Sequence, residues 1–335
     1  MGNPKLRRLF SFFSQHAIYV FLILLIIIIA FINPGFLSLT CLRDILLQCS
    51  TRVIIAVGMF CILLTGGVDL GAGRVVGFAA VISASLLQTA EYSRRFYPNL
   101  PQIPLWIPIV IAIIVGMLIG LFNGTLVSRF SVPPFIATLS SQLIVYGINS
   151  IYFDLPPNSS QPIGGLRKDF TYLGSGTIFG VIPIIVVIAV VVAIIAWIVF
   201  TRTRFGKNTY AIGGNRMAAE VSGINVKSML LILYTIASIC FAFGGVLVAA
   251  RAGGATNNYG FSYEFDAIAA NFVGGVSTTG GIGTIPGVLA GVFIFEVINY
   301  GLTFIGINPY WQYIMKGAVI ALAVAFDVRK YVVKK

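Results

Sequence analysis

Long apolar runs, each closed by a short polar or Gly- and Pro-rich interval, dominate the chain. They fall at about 17–32, 45–65, 75–90, 106–128, 135–153, 178–200, 229–250, 265–276, 286–304 and 311–327. A helix crosses the hydrocarbon core in about 20 apolar residues. The pattern therefore predicts an all-α polytopic transmembrane helix bundle of about ten spans, forming one domain over 1–335. The run at 265–276 is short for a crossing, which predicts a tilted, broken or flank-extended helix. Gly116, Gly120 and Gly124, then Gly287 and Gly291, repeat at four-residue spacing and predict close helix contacts in lipid. The first run follows Lys5, Arg7 and Arg8, as a signal peptide would. It is long, lacks a small-residue cleavage site and closes at Asn33-Pro34-Gly35, so it reads as a retained span.

Composition agrees. Of 335 residues, 58% are apolar and 10% charged, where soluble domains carry about 25% charged. That excludes an ordinary cytosolic enzyme, a disordered protein and a nucleic-acid binder. The net charge of +12 then reads as Lys and Arg held in cytoplasmic loops. With both termini cytoplasmic, the densest clusters (Lys5, Arg7 and Arg8; Arg202, Arg204, Lys207, Arg216 and Lys227) fall inside. Arg43, Arg52, Arg94, Arg95, Arg167, Lys168, Arg251 and Lys316 fall outside. Cys41, Cys49, Cys61 and Cys240 lack metal-ligand spacing, and His16 reads as an interfacial residue.

Polar residues inside spans face a cavity or another helix. The candidates are Gln48, Asn123, Gln142, Tyr146, Asn149, Asn271, Glu296 and Asn299. Amides donate and accept, which suits a polar, hydroxyl-bearing solute, although hydrogen bonding between helices is their more ordinary use. Glu296 must be paired, protonated or wet, and a proton relay there would belong to an ion-coupled carrier. Two Gly-rich breaks, 66–74 with Asp69 and Arg74, and 277–284, resemble the interrupted segments of transporter gates. Tight cytoplasmic turns are the simpler reading, with Asp69 capping the next helix and Arg74 anchoring it. Outside, 154–177 is the longest loop and holds a glycosylation-like triplet, Asn158-Ser159-Ser160. Tyr310 and Trp311 suit the aromatic belt.

The sizeable cytoplasmic loop 201–228 is strongly basic. Asn215 predicts the cap of a short helix whose Met217, Ala218, Ala219 and Val221 form a small apolar surface, stopped at Gly223. So short a helix is unstable alone; it must dock on the bundle or on a partner, unless the loop is only a basic anchor. No nucleotide-binding loop is present, since Gly206-Lys207 lacks the upstream Gly and precedes Asn208. Energy must come from another chain or an ion gradient.

Thr203-Arg204-Phe205-Gly206, Ala211-Ile212-Gly213-Gly214-Asn215, Ala218-Ala219 and Ser222-Gly223-Ile224 resemble the coupling region of bacterial ABC sugar-importer permeases of the ribose/galactose branch. Leu64-Thr65-Gly66-Gly67-Val68-Asp69-Leu70, Tyr263-Glu264-Phe265-Asp266-Ala267-Ile268-Ala269-Ala270 and Val273-Gly274-Gly275-Val276 extend the likeness over nearly the whole chain. Gly71-Ala72-Gly73-Arg74 and the ending Ile307 to Gly317 are more similar to the galactose/methyl-galactoside type than to the ribose type.

The resemblance implies a non-catalytic subunit of the bacterial inner membrane that moves galactose or methyl galactosides by alternating access. Two copies would form the path. Two copies of an ABC ATPase, or one double-cassette ATPase, would hold ATP-Mg and engage Arg204, Phe205, Gly206, Gly213, Asn215, Ala219, Glu220 and Gly223. A periplasmic sugar-binding protein would deliver cargo, with no cofactor in this chain and no nucleic acid among its partners. Ribose or another monosaccharide is the alternative cargo, and an ion-coupled secondary transporter the alternative class. A membrane enzyme would need a clustered catalytic set, which one His and scattered carboxylates do not supply.

Overall fold

A computed structural model describes residues 17–332 except Pro309. Lys5, Arg7, Arg8, His16, Lys334 and Lys335 lie outside the described residues. Each predicted apolar segment holds a helix: α1 (Ala17–Ile32), α2 (Leu39–Leu63), α3 (Ala72–Leu86), α4 (Trp106–Ser128), α5 (Pro134–Asp154), α7 (Ile184–Arg202), α10 (Val226–Ala252), α11 (Tyr263–Val273), α12 (Ile285–Phe304) and α13 (Tyr310–Val332). Three shorter helices lie between them: α6 (Lys168–Ser175), α8 (Arg204–Gly214) and α9 (Arg216–Val221). Five helices, α2, α4, α7, α10 and α12, are long and apolar enough to cross a membrane.

The helix ends follow local chemistry. Ser38 and Thr284 accept the third backbone N–H of α2 and α12, Pro134 opens α5, and Gly253 closes α10 in the left-handed conformation. The all-α expectation has one exception. The start of the 178–200 segment is a small antiparallel hairpin, with Thr177 facing Pro183 and Ile178 facing Ile182. Gly180 takes a positive φ there, and α7 begins only beyond Pro183.

α10 is the hub, packed against α2, α3, α4 and α6. The predicted small-residue stripe of α4 makes this possible. A Cβ on Gly116 would strike that of Ala242; on Gly120 it would lie 2.7 Å from the Tyr234 carbonyl, and on Gly124 3.0 Å from that of Leu231. Gly287 and Gly291 of α12 likewise meet the carbonyls of Gly274 and Ala270 at α11. Backbones this close give van der Waals contact, the main attraction between helices in lipid. Gly120→Val is therefore expected to cost about 1–3 kcal/mol by overpacking, read as a lower thermal midpoint in detergent. The outward faces of α4 (Ile111, Leu118, Phe122) and α7 (Val190, Ile194, Ile198) are exposed and apolar, as lipid contact requires.

The 154–177 loop is tied down more firmly than a simple connection. Ile163 pairs with Ala255 and Leu166 with Gln88, and Phe170 of α6 is fully buried. Asn158 is buried and donates to the Phe153 carbonyl at 2.7 Å, so the glycosylation-like triplet does not present its amide outward.

Candidate functional site

Three groups of predicted residues converge, each on a different part of the bundle. The first is the loop 201–228. Where the sequence predicts one short helix, the structure has two, because Thr203 starts α8 by accepting from Gly206 N–H at 3.3 Å despite the glycines within it. Asn215 then ends α8 and caps α9, accepting from Ala218 N–H at 3.0 Å. Gly223, at φ +86°, stops the chain from continuing. Of the small apolar surface, only Ala219 is buried; Met217 (76% exposed) and Val221 (92% exposed) point away from the protein. Arg204, Asn215, Glu220 and Gly223 are exposed as well. Arg216 lies 3.8 Å from Glu220 one turn on. Phe205 is half-buried against Phe200, and Gly206 is buried where a Cβ would strike the Phe200 carbonyl.

The second group joins that loop to both Gly-rich breaks. Gly281 N–H donates to the Leu64 carbonyl at 2.8 Å, so the two breaks meet although more than two hundred residues separate them. Gly213 of α8 fits into the same point; a Cβ there would collide with the Leu64 oxygen and the Gly281 nitrogen. Tyr210 donates to the Gly283 carbonyl at 2.8 Å, and burial pushes its phenol above its ordinary pKa. The end of α8 is thus held against 64–66 and 280–283 by the close fit of Gly213 and by the Tyr210 hydroxyl.

Asp69, in the first break, is fully buried and accepts from Gly71 N–H at 2.8 Å. The predicted capping role is corrected, because Gly71 is the cap of α3 and Asp69 shapes the turn before it. Asn123 of α4 lies beside the Asp69 carboxyl.

The third group is ionic and lies among the helices. Arg52 of α2 pairs with Asp266 of α11 and, at 3.4 Å, with Glu296 of α12; Lys316 of α13 pairs with Asp266. Tyr263 lies under Arg52, 3.7 Å from its guanidinium carbon. Arg52 and Lys316, which the charge count placed on the outer side, both sit within helices, and Arg251 sits in the last turn of α10. Two cations and two carboxylates offset one another there, which lowers the high cost of charge in this setting. Glu296 is accordingly paired, so the lone-carboxylate premise of an ion-coupled carrier does not hold.

The remaining polar candidates divide by surroundings. Asn271 is buried and donates to the carbonyls of Ala56 (3.0 Å) and Ala267 (2.8 Å), a bond between helices. Gln48 and Asn299 are half-buried, the Asn299 carbonyl accepting from Gln312. Gln142, Tyr146 and Asn149 share one side of α5, where Tyr146 packs against Arg74, whose guanidinium carbon lies 4.2 Å from the ring centroid. Sequence reasoning missed Tyr210 and the pairing of Arg52 with Asp266. The available signal was a cation and two carboxylates inside predicted spans, which require one another.

Residues 41–324 match the family described as branched-chain amino acid transport system / permease component. The chain belongs to that family, and with its apolar helices it is a multi-pass membrane protein and a transport component. It is 50% identical to the galactose/methyl galactoside import permease protein MglC of Haemophilus influenzae, with all of both chains covered. Identity to the protein of the same name from Escherichia coli is 48% over 97% of each chain. The ribose import permease protein RbsC of Bacillus subtilis is 36% identical over 92% of this chain and 91% of its own. No solved structure matches.

Proposed function

We propose that this chain is the permease subunit of an ABC importer in the bacterial inner membrane, carrying galactose and methyl galactosides. The observation that carries the reading is full-length identity of 50% to a permease of that name, against 36% for a ribose permease. Two copies would form the path, with about ten spans each and both termini in the cytoplasm. Two ABC ATPase subunits, or one double-cassette ATPase, would bind ATP-Mg, and this chain would hold no cofactor. A periplasmic binding protein would supply sugar.

The α8–α9 unit suits the role of transmitter. Its outer side offers Met217, Val221 and exposed basic residues to a partner, and its inner end grips both Gly-rich breaks. Partner subunits closing on ATP would move α9, and α8 would carry that displacement to 64–66 and 280–283. A polar sugar cannot cross hydrocarbon, so these breaks would open a water-filled seam to alternate sides.

The test reconstitutes the chain with its ATPase and binding protein in lipid and measures ATP hydrolysis. Galactose-loaded binding protein is expected to stimulate hydrolysis, and ribose-loaded protein is not. Stimulation by ribose alone would reassign the cargo, and uptake without any ATPase would overturn the class.

A further inference from the structure

In lipid, the polarity of an exposed helix face separates membrane contact from water contact. The exposed faces of α4 and α7 are apolar, and α5 also exposes Leu143, Ile148 and Ile151, but along one edge it carries half-buried Gln142 and Ser150 and exposed Tyr146 at four-residue spacing, with buried Asn149 beside them. The Arg74 guanidinium sits over two rings at this stripe, 4.2 Å from the centroid of Tyr146 and 5.3 Å from that of Phe261. The rings remain open, Tyr146 39% and Phe261 50% exposed.

Three polar groups accompany them. Arg74 Nη1 and Asn149 Oδ1 are buried without a hydrogen-bond partner among the described residues. The Glu264 carboxylate lies against Gly73, next to Arg74 in the chain. The backbone is built to make this meeting possible. Gly260 (φ +78°) and Ser262 (φ +65°) turn the 257–264 segment onto α3, where Gly73 and Gly77 leave room for the Gly260 and Tyr259 carbonyls. Two open rings thus flank Arg74, and a buried acceptor (Asn149) and a buried carboxylate (Glu264) lie against the same first turns of α3.

That set matches a neutral pyranose, whose C–H face packs on aromatic rings while its hydroxyls donate and accept. We propose that a hexose in transit is held at the cluster of Arg74, Tyr146, Asn149, Phe261 and Glu264, and that this edge of α5 lines the water path. The inference rests on the sugar-importer reading above and adds a contact site within the membrane.

Accessibility and coupling test it together, in a chain with Cys41, Cys49, Cys61 and Cys240 replaced by Ala and with uptake retained. Tyr146→Cys is expected to react with a membrane-impermeant methanethiosulfonate, and Leu118→Cys on the apolar face of α4 is not. With the reconstituted importer, Arg74→Gln and Phe261→Ala are each expected to lower the sugar delivered per ATP hydrolysed about tenfold. The hydrolysis stimulated by loaded binding protein should persist. A merely structural role would reduce both quantities together.

An unreactive Tyr146→Cys, or an unchanged sugar-to-ATP ratio, overturns the proposal. If the wild-type assembly imports ribose and not galactose, the galactose reading fails by itself. The same ratio, measured with ribose, then decides the cluster.

Discussion

Gly213→Ala is expected to lower sugar uptake strongly while leaving the chain folded and bound to its ATPase. Alanine favours a helix over glycine by about 1 kcal/mol, so α8 itself should be no less helical. The added methyl group instead collides with the Leu64 carbonyl and the Gly281 amide. Both obstacles are backbone atoms already hydrogen-bonded to each other at 2.8 Å, so no side-chain rotation relieves the clash. The end of α8 must lift away from both breaks, at about 1–3 kcal/mol for overpacking of this kind. Uptake should fall at least about tenfold, and ATP hydrolysis should lose its response to sugar-loaded binding protein. Gly214→Ala is the control, because no atom lies within 4 Å of its added Cβ. Equal uptake by the Gly213 variant and the control would show that the clamp transmits nothing.

The parts of this site that were legible in the sequence are those specified locally. Ten apolar runs located ten helices because length and composition alone decide where backbone must satisfy itself in lipid. The four-residue glycine stripe of α4 correctly predicted close packing, and Asn215 and Gly223 marked both ends of α9. Both Gly-rich breaks were visible too. Their contact was not, because Leu64 and Gly281 meet through backbone atoms that leave no mark on residue type. α8 was hidden for a related reason. Its Gly206, Gly213 and Gly214 have low helix propensity, yet Gly206 and Gly213 sit where neighbouring backbone approaches.

The pairing of the charges was not legible. A count of Lys and Arg treats each as a topology marker, and it gave no sign that Arg52 and Lys316 sit in helices against carboxylates. What holds them among the helices is a pair of carboxylates more than two hundred residues from Arg52, which periodicity cannot reveal.

Arg52→Met gives the second large effect, and it separates a structural ion network from a dispensable one. The variant keeps a long apolar side chain but leaves Glu296 without its cation, while Asp266 keeps Lys316. Removing one partner of a buried pair costs about 3–5 kcal/mol, because the charge left behind is uncompensated. The chain should therefore unfold at a markedly lower temperature in detergent and accumulate poorly in the membrane. Adding Glu296→Leu restores neutrality, and replacing both members of a buried pair by apolar groups is often neutral or stabilising. Most of the lost stability should return in the double variant. If the single variant melts with the wild type, the pairs carry no stability. If the double variant is as weak as the single, the defect comes from lost packing of Arg52 on Tyr263 rather than from unbalanced charge. Recovery of stability without recovery of uptake would mean that the same four side chains also hold α2, α11, α12 and α13 in the register that transport requires.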